Sequence, residues 1–191
     1  ITAQETVAFL VTIDGIREQD FMQWNSGLLA WAASNGVWIP DVTIPDKGIT
    51  DPGHAEFYGC ENTGQCANNQ GPIDNPSLLH YLRYLGYPQG SIVIVSGKDH
   101  MLQVNVESDN PQFGAAYAAE TFLVTTEWDD CGGSPLDLFY QGPDSLIMRR
   151  AIAYADTHLV KVMAINLSEY DYMTHARGLQ CCGNDTTCYW Q

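Results

Sequence analysis

The strongest constraint on the fold is the apolar run Val7-Ala8-Phe9-Leu10-Val11-Thr12-Ile13, which recurs in kind further along the chain. A continuous apolar run, without polar alternation, reads as a strand buried on both faces, the kind that fills parallel sheets. Residues 91–96 (SIVIVS) and 159–167 (LVKVMAINL) are further runs of this type, and residues 121–125 are a shorter one. Between them the apolar spacing is helical. Residues 18–34 carry Phe21, Trp24, Leu28 and Leu29 and meet a stop at Asn35-Gly36. Asn75-Pro76-Ser77 opens a second helix through Leu78, Leu79, Tyr81, Leu82 and Leu85, ended by Gly86, and residues 144–157 form a third. Alternation of this sort predicts an α/β fold, a mainly parallel sheet sandwiched between helices. No repeat, low-complexity tract or linker interrupts it, so residues 1–191 read as one domain, long enough to bury a substantial core. In such sheets the chemistry lies beyond the carboxyl ends of the strands. The residues that directly follow each apolar run are therefore the ones to weigh.

Composition narrows the partners. A net charge of −15 argues against nucleic acid and against an anionic membrane, both of which need a basic surface. No apolar run approaches the ~18 residues of a bilayer span. The chain begins at Ile1 with no Met, charged leader or signal segment, which reads as a processed or trimmed product. Its six cysteines (Cys60, Cys66, Cys131, Cys181, Cys182, Cys188) contain no CxxC pair, as a zinc site would want. The segments between Cys60 and Cys66 and between Cys181 and Cys188 look instead like short disulfide-closed loops. That implies an oxidising compartment, extracellular or periplasmic, and leaves the pairing open.

Three segments carry candidate chemistry. Asp14-Gly15 follows the first run: a carboxylate at a strand end, with a Gly that lets the chain turn, can hold a metal or equally well cap the next helix. Thr50-Asp51-Pro52-Gly53-His54 reads as a helix start with Pro52 in its first turn. A Thr50 hydroxyl there faces free backbone N–H groups and the positive end of the helix dipole, as an attacking group on a bound phosphate would. An ordinary Thr N-cap is the plainer account. Asp171 and His175 lie four residues apart beyond the last run and can reach one ion if that segment turns helically, the alternative being a polar loop.

Taken in order, these segments resemble the alkaline phosphatase superfamily, in particular its nucleotide phosphodiesterase and phosphomutase-like branches. There a strand ends in Asp-Gly, here Ile13-Asp14-Gly15. A Thr or Ser nucleophile opens a helix in a T-x-P-x-H context, here Thr50 to His54, and a later strand leads into Asp-x-x-x-His, here Asp171 to His175. The resemblance implies a hydrolase of phosphoric esters with two divalent ions, usually zinc. Asp14 and Thr50 would serve one ion, Asp171 and His175 the other. Thr50 would form a phospho-enzyme that is then hydrolysed.

The departure from the family is as informative as the match. A third motif, a Ser-Asp-His-Gly-like segment with a later His, has no counterpart after His175. Residues 187–191 read as a helix cut at its opening, so the expected fold is one truncated at its C-terminal end, with about half of each ion's ligands. Such a chain on its own is expected to bind divalent metal weakly. Lys98-Asp99-His100 could touch substrate, although an exposed loop is the simpler account, and Asn75 could orient a phosphoryl oxygen or simply cap its helix. His54 is read as packing or capping, His80 and His158 as structural, and Trp24, Trp31 and Trp38 as core. Asn184 is the plausible glycosylation acceptor, since Asn166 ends a buried strand. The rival reading is a non-catalytic protein that retains a shortened hydrolase fold and self-associates through an exposed sheet edge.

Overall fold

The computed structural model describes residues 6–24, 26–37, 39, 50–59, 76–99, 101, 108, 110–124, 143–171 and 174. Its centre is a four-stranded, all-parallel sheet in the order β1-β4-β2-β3, with β1 Ala8–Ile13, β2 Ile92–Ser96, β3 Glu120–Leu123 and β4 Val162–Leu167. The helices are α1 Glu18–Trp24, α2 Ser26–Asn35, α3 Thr50–Gly59, α4 Leu78–Tyr84 and α5 Asp144–Ala155. The chain is thus an α/β protein, as the alternation predicts. Among the described residues no helix is long and apolar enough to cross a membrane.

Period-two alternation along the inner strands divides the core between two faces. On one, Ile92, Ile94 and Ala164 pack with Leu79 of α4 and Tyr58 of α3. On the other, Val93, Val95, Met163 and Ile165 pack with Ile147 and Ala151 of α5. Every residue of β2 is buried. Each fully buried Leu, Ile or Met side chain contributes about 1.5–3 kcal/mol, so the two faces together hold the sheet between its helices.

Several expectations need correction. β1 is an edge strand and is not buried on both sides. Its register pairs Phe9 with Met163 and Val11 with Ile165, which puts both on the α5 face, yet Phe9 is 52% exposed and Val11 is also open. α5 lies over β4 and β2 and reaches Phe122 of β3, at the edge opposite β1. The helical stretch 18–34 is two helices, and α2 has no buried residue; Trp31, expected in the core, is 63% exposed. Trp38 and the Trp24 side chain lie outside the described residues, as do all six cysteines and Asn184. The N-cap of α4 is Ser77; Asn75 lies outside the described residues. The Ser77 N–H donates to Nδ1 of His80 at 3.2 Å, which ties His80 to the helix start.

Candidate functional site at the carboxyl edge

β1 and β4 run parallel and end side by side, so the residues that follow them emerge together. The Asp14 N–H donates to the Leu167 carbonyl at 2.8 Å, extending the ladder one step past the last strand pair. The chain then turns at Gly15 with φ +68°, a left-handed conformation that costs an L-residue roughly 1–2 kcal/mol. Space adds a second reason for glycine. A Cβ at this position would lie 2.5 Å from Oδ1 of Asp171. The Asp-Gly pair therefore brings one carboxylate to the edge and leaves room for another.

Asp171 sits on the helical turn that begins at residue 169. Two neighbours hold that turn. Asp144, the first residue of α5, accepts the Ser168 and Glu169 N–H groups on Oδ1 at 2.9 and 3.1 Å, and its own N–H donates to the Glu169 carboxylate at 3.0 Å. Burial holds the Asp144 carboxyl above its ordinary range, against the pull of those backbone donors. On the other side the Tyr170 hydroxyl donates to Oδ2 of Asp20 at 2.5 Å, and Arg17 Nε donates to the same oxygen.

The third member of the edge is Lys98, two residues beyond β2. It is not in an exposed loop: it is 4% exposed, and its ammonium donates to Oδ2 of both Asp14 and Asp171. Its backbone is fixed by Ser96, whose Oγ accepts the Lys98 N–H at 3.0 Å and lies 2.9 Å from the Lys98 carbonyl. Burial alone would lower the Lys98 pKa, but the charges and hydrogen bonds of Asp14 and Asp171 outweigh it and hold it above 10.5. Lys98 is therefore a fixed cation between two carboxylates.

α3 starts at Thr50 and is tied to the same edge by His54. Its Nδ1 is 2.8 Å from the Thr50 carbonyl and its Nε2 is 3.1 Å from Nδ2 of Asn166. A carbonyl only accepts, so Nδ1 carries the proton; the neutral ring then accepts on Nε2 from the Asn166 amide. Asn166 also donates to Oγ1 of Thr12 at 3.3 Å and accepts from Ser96 Oγ at 3.2 Å. One amide on β4 thus links β1, β2 and the α3 entry. Asp51 is buried beside Thr50 in that first turn.

Of the residues singled out in the sequence, the structure brings Asp14, Asp171 and Lys98 together and ties the turn bearing Thr50 to the same edge through His54. His175, Asn75 and His100 lie outside the described residues. His158 is exposed and stacks on Tyr154 at 3.9 Å, away from this edge. Among the described residues no three His, Cys, Asp or Glu side chains stand together as a metal-binding group; Asp14 and Asp171 are a pair. Sequence reasoning missed Ser96 and Asn166. The signal was there, in polar residues that close the apolar runs SIVIVS and VMAINL where a buried side chain needs a partner.

No family model matches the chain, and neither a curated protein nor a solved structure matches it. The class that the fold and the edge define is an α/β protein with a parallel sheet, carrying a charged cluster at the carboxyl edge of that sheet.

Proposed function

We propose that this chain is a metal-dependent hydrolase of phosphoric esters, of the alkaline phosphatase type, with Thr50 as nucleophile. One observation carries the reading: carboxylates from the ends of β1 and β4 converge on a single cationic centre, at the edge to which the α3 entry is tethered. The donor chemistry suits a divalent cation, since carboxylate oxygens are the ligands such ions take. Asp14 and Thr50 would hold one ion, Asp171 with His175 another, both probes of choice being zinc. When bound, such ions supply charge stabilisation for an in-line displacement.

The chain's own residues account for the remaining steps. The first turn of α3 offers backbone N–H groups to an anionic phosphoryl group. His54 and Asn166 orient that turn. The Thr50 oxygen forms a bond to phosphorus as the ester oxygen leaves with a proton, and water then releases phosphate and restores the hydroxyl. Secretion into an oxidising compartment belongs to the same reading and rests on the cysteine spacing.

A second reading is favoured by one observation. Lys98 already neutralises the carboxylate pair, as it would in a non-catalytic protein that keeps the fold. The open β1 edge, with Val7, Phe9 and Val11 exposed, is the surface such a protein would use to self-associate.

The test is turnover of a chromogenic phosphodiester and a phosphomonoester with zinc present, for wild type, Thr50→Ala and Thr50→Ser. Loss on the order of a thousandfold or more in the Ala variant, with partial activity in the Ser variant, is expected. Undiminished turnover by Thr50→Ala removes Thr50 from the chemistry. No turnover by any form, with self-association in solution, selects the second reading.

A further inference from the structure

The sheet has a second edge, formed by β3, and it differs from the β1 edge in charge. The Val124 N–H donates to the Ser96 carbonyl at 2.9 Å, continuing the ladder with β2. Backbone groups alternate along a strand, so Phe122 turns its N–H and C=O toward β2 while Thr121 and Leu123 turn theirs outward. Among the described residues no strand pairs with that outer side. Beside it a cleft of about 640 Å³ opens between residues 121–124 and one flank of α5, which contributes Leu146, Arg149 and Arg150. Their i, i+3, i+4 spacing puts these three on one helix face. Arg150 rests over the Phe122 ring at 4.3 Å. Both arginines are exposed, and among the described residues neither is in an ion pair, Glu120 of β3 included. The other described arginines are engaged, Arg17 by Asp20 and Arg83 by the carbonyls of Ala116 and Ala118.

Two unpaired guanidinium groups side by side stand out in a chain of net charge −15. Most of such a surface repels carboxylates; this edge attracts them, over the ~8 Å that charges reach at physiological salt. The spacing suits a strand. Leu146 and the arginines stand one turn apart, about 5 Å along α5. Side chains two residues apart on one face of a strand are about 6.6 Å apart. A strand laid along Thr121–Leu123 therefore offers one side chain to Leu146 and Phe122, and the next on that face to Arg149 and Arg150. The first position suits an apolar residue and the second an acidic one.

We propose that the β3 edge docks an extended acidic segment of a partner protein, which joins the sheet as a further strand. Its backbone pairs with Thr121 and Leu123, and its carboxylates meet Arg149 and Arg150. This edge lies opposite β1, so the inference depends neither on hydrolysis by Thr50 nor on self-association through β1.

The test uses a fluorescent octapeptide that alternates Thr with Glu and Ile, so that one face carries carboxylates on either side of an isoleucine. Anisotropy with the wild-type chain should show saturable binding. It should weaken by roughly tenfold in Arg149→Ala/Arg150→Ala and vanish when Lys replaces Glu in the peptide. N-methylation of one alternate set of peptide amides should abolish binding and that of the other set should leave it, since a strand turns only every second N–H to its neighbour. Hydrogen exchange of the wild-type chain should slow at Thr121 and Leu123 when the peptide is bound, a readout that stands even if the arginine variant does not fold. No saturable binding, equal binding by the arginine variant, indifference to N-methylation, or unchanged exchange at Thr121 and Leu123 overturns the docked strand. Citrate that displaces the peptide at equal concentration overturns it in favour of a small-anion site. Self-association of the wild-type chain that the arginine variant loses overturns it in favour of a second copy.

Discussion

Replacing Asn166 by Leu tests whether one buried amide holds α3 onto the sheet. The two side chains are close in shape, so the perturbation is loss of polar partners more than loss of volume. Three groups face the amide and they do not suffer equally. Ser96 Oγ keeps the Lys98 carbonyl at 2.9 Å as an acceptor. Thr12 Oγ1 keeps its bond to the Ile165 carbonyl at 3.4 Å. His54 Nε2 loses the donor it has from Asn166 at 3.1 Å. A buried acceptor stripped of its donor costs about 1–3 kcal/mol. At about 2–4 °C per kcal/mol for a chain of this size, the melting temperature should fall by roughly 2–12 °C. Hydrogen exchange locates the effect: amides of α3 should exchange faster while those of β2, which keeps its ladder, should not change. A variant that melts with wild type and keeps α3 protected would show that Asn166 does not anchor the helix, and the link from β4 to Thr50 would fail.

The other predictions concern the neighbours of Asp171. Gly15→Ala must adopt a left-handed backbone and place a methyl 2.5 Å from Asp171 Oδ1, so urea unfolding should show a loss of more than about 2 kcal/mol. A loss below about 0.5 kcal/mol would mean that neither the turn nor the close approach is as described. Burial opposes ionisation of Asp20, but the hydrogen bonds from Arg17 and Tyr170 outweigh it and hold its pKa below 3.8. A depressed carboxylate contributes stability that is present above its unfolded pKa and lost as pH falls through the folded one. The stability of wild type over Asp20→Asn should therefore be full at pH 6 and shrink below about pH 3.8; a difference constant with pH would refute the assignment.

How much could be read beforehand differs by element. The α/β class, the strands β1, β2 and β4 and the start of α3 at Thr50 were legible, because period and punctuation are local properties of the chain. The exposure of Phe9, Val11 and Trp31 was not. An apolar residue records only that its segment can be buried; strand order decides whether a helix reaches it. The N-cap of α4 at Ser77 is a smaller instance, since several residue types in that stretch make caps and only backbone geometry chooses.

The chemical side divides in the same way. By its residue types the sequence placed Asp14, Asp171 and a Thr-led helix at strand ends, since a turn after a buried strand must put its polar groups at the sheet edge. What sits between the two carboxylates was decided only in three dimensions. Lys98 looked like a residue of a surface loop until the parallel pairing of β2 with β4 and of β4 with β1 set the three strand ends in a row. Its burial, its two ion pairs and its raised pKa all follow from that adjacency, because electrostatic energy depends on distance in space and not on separation along the chain.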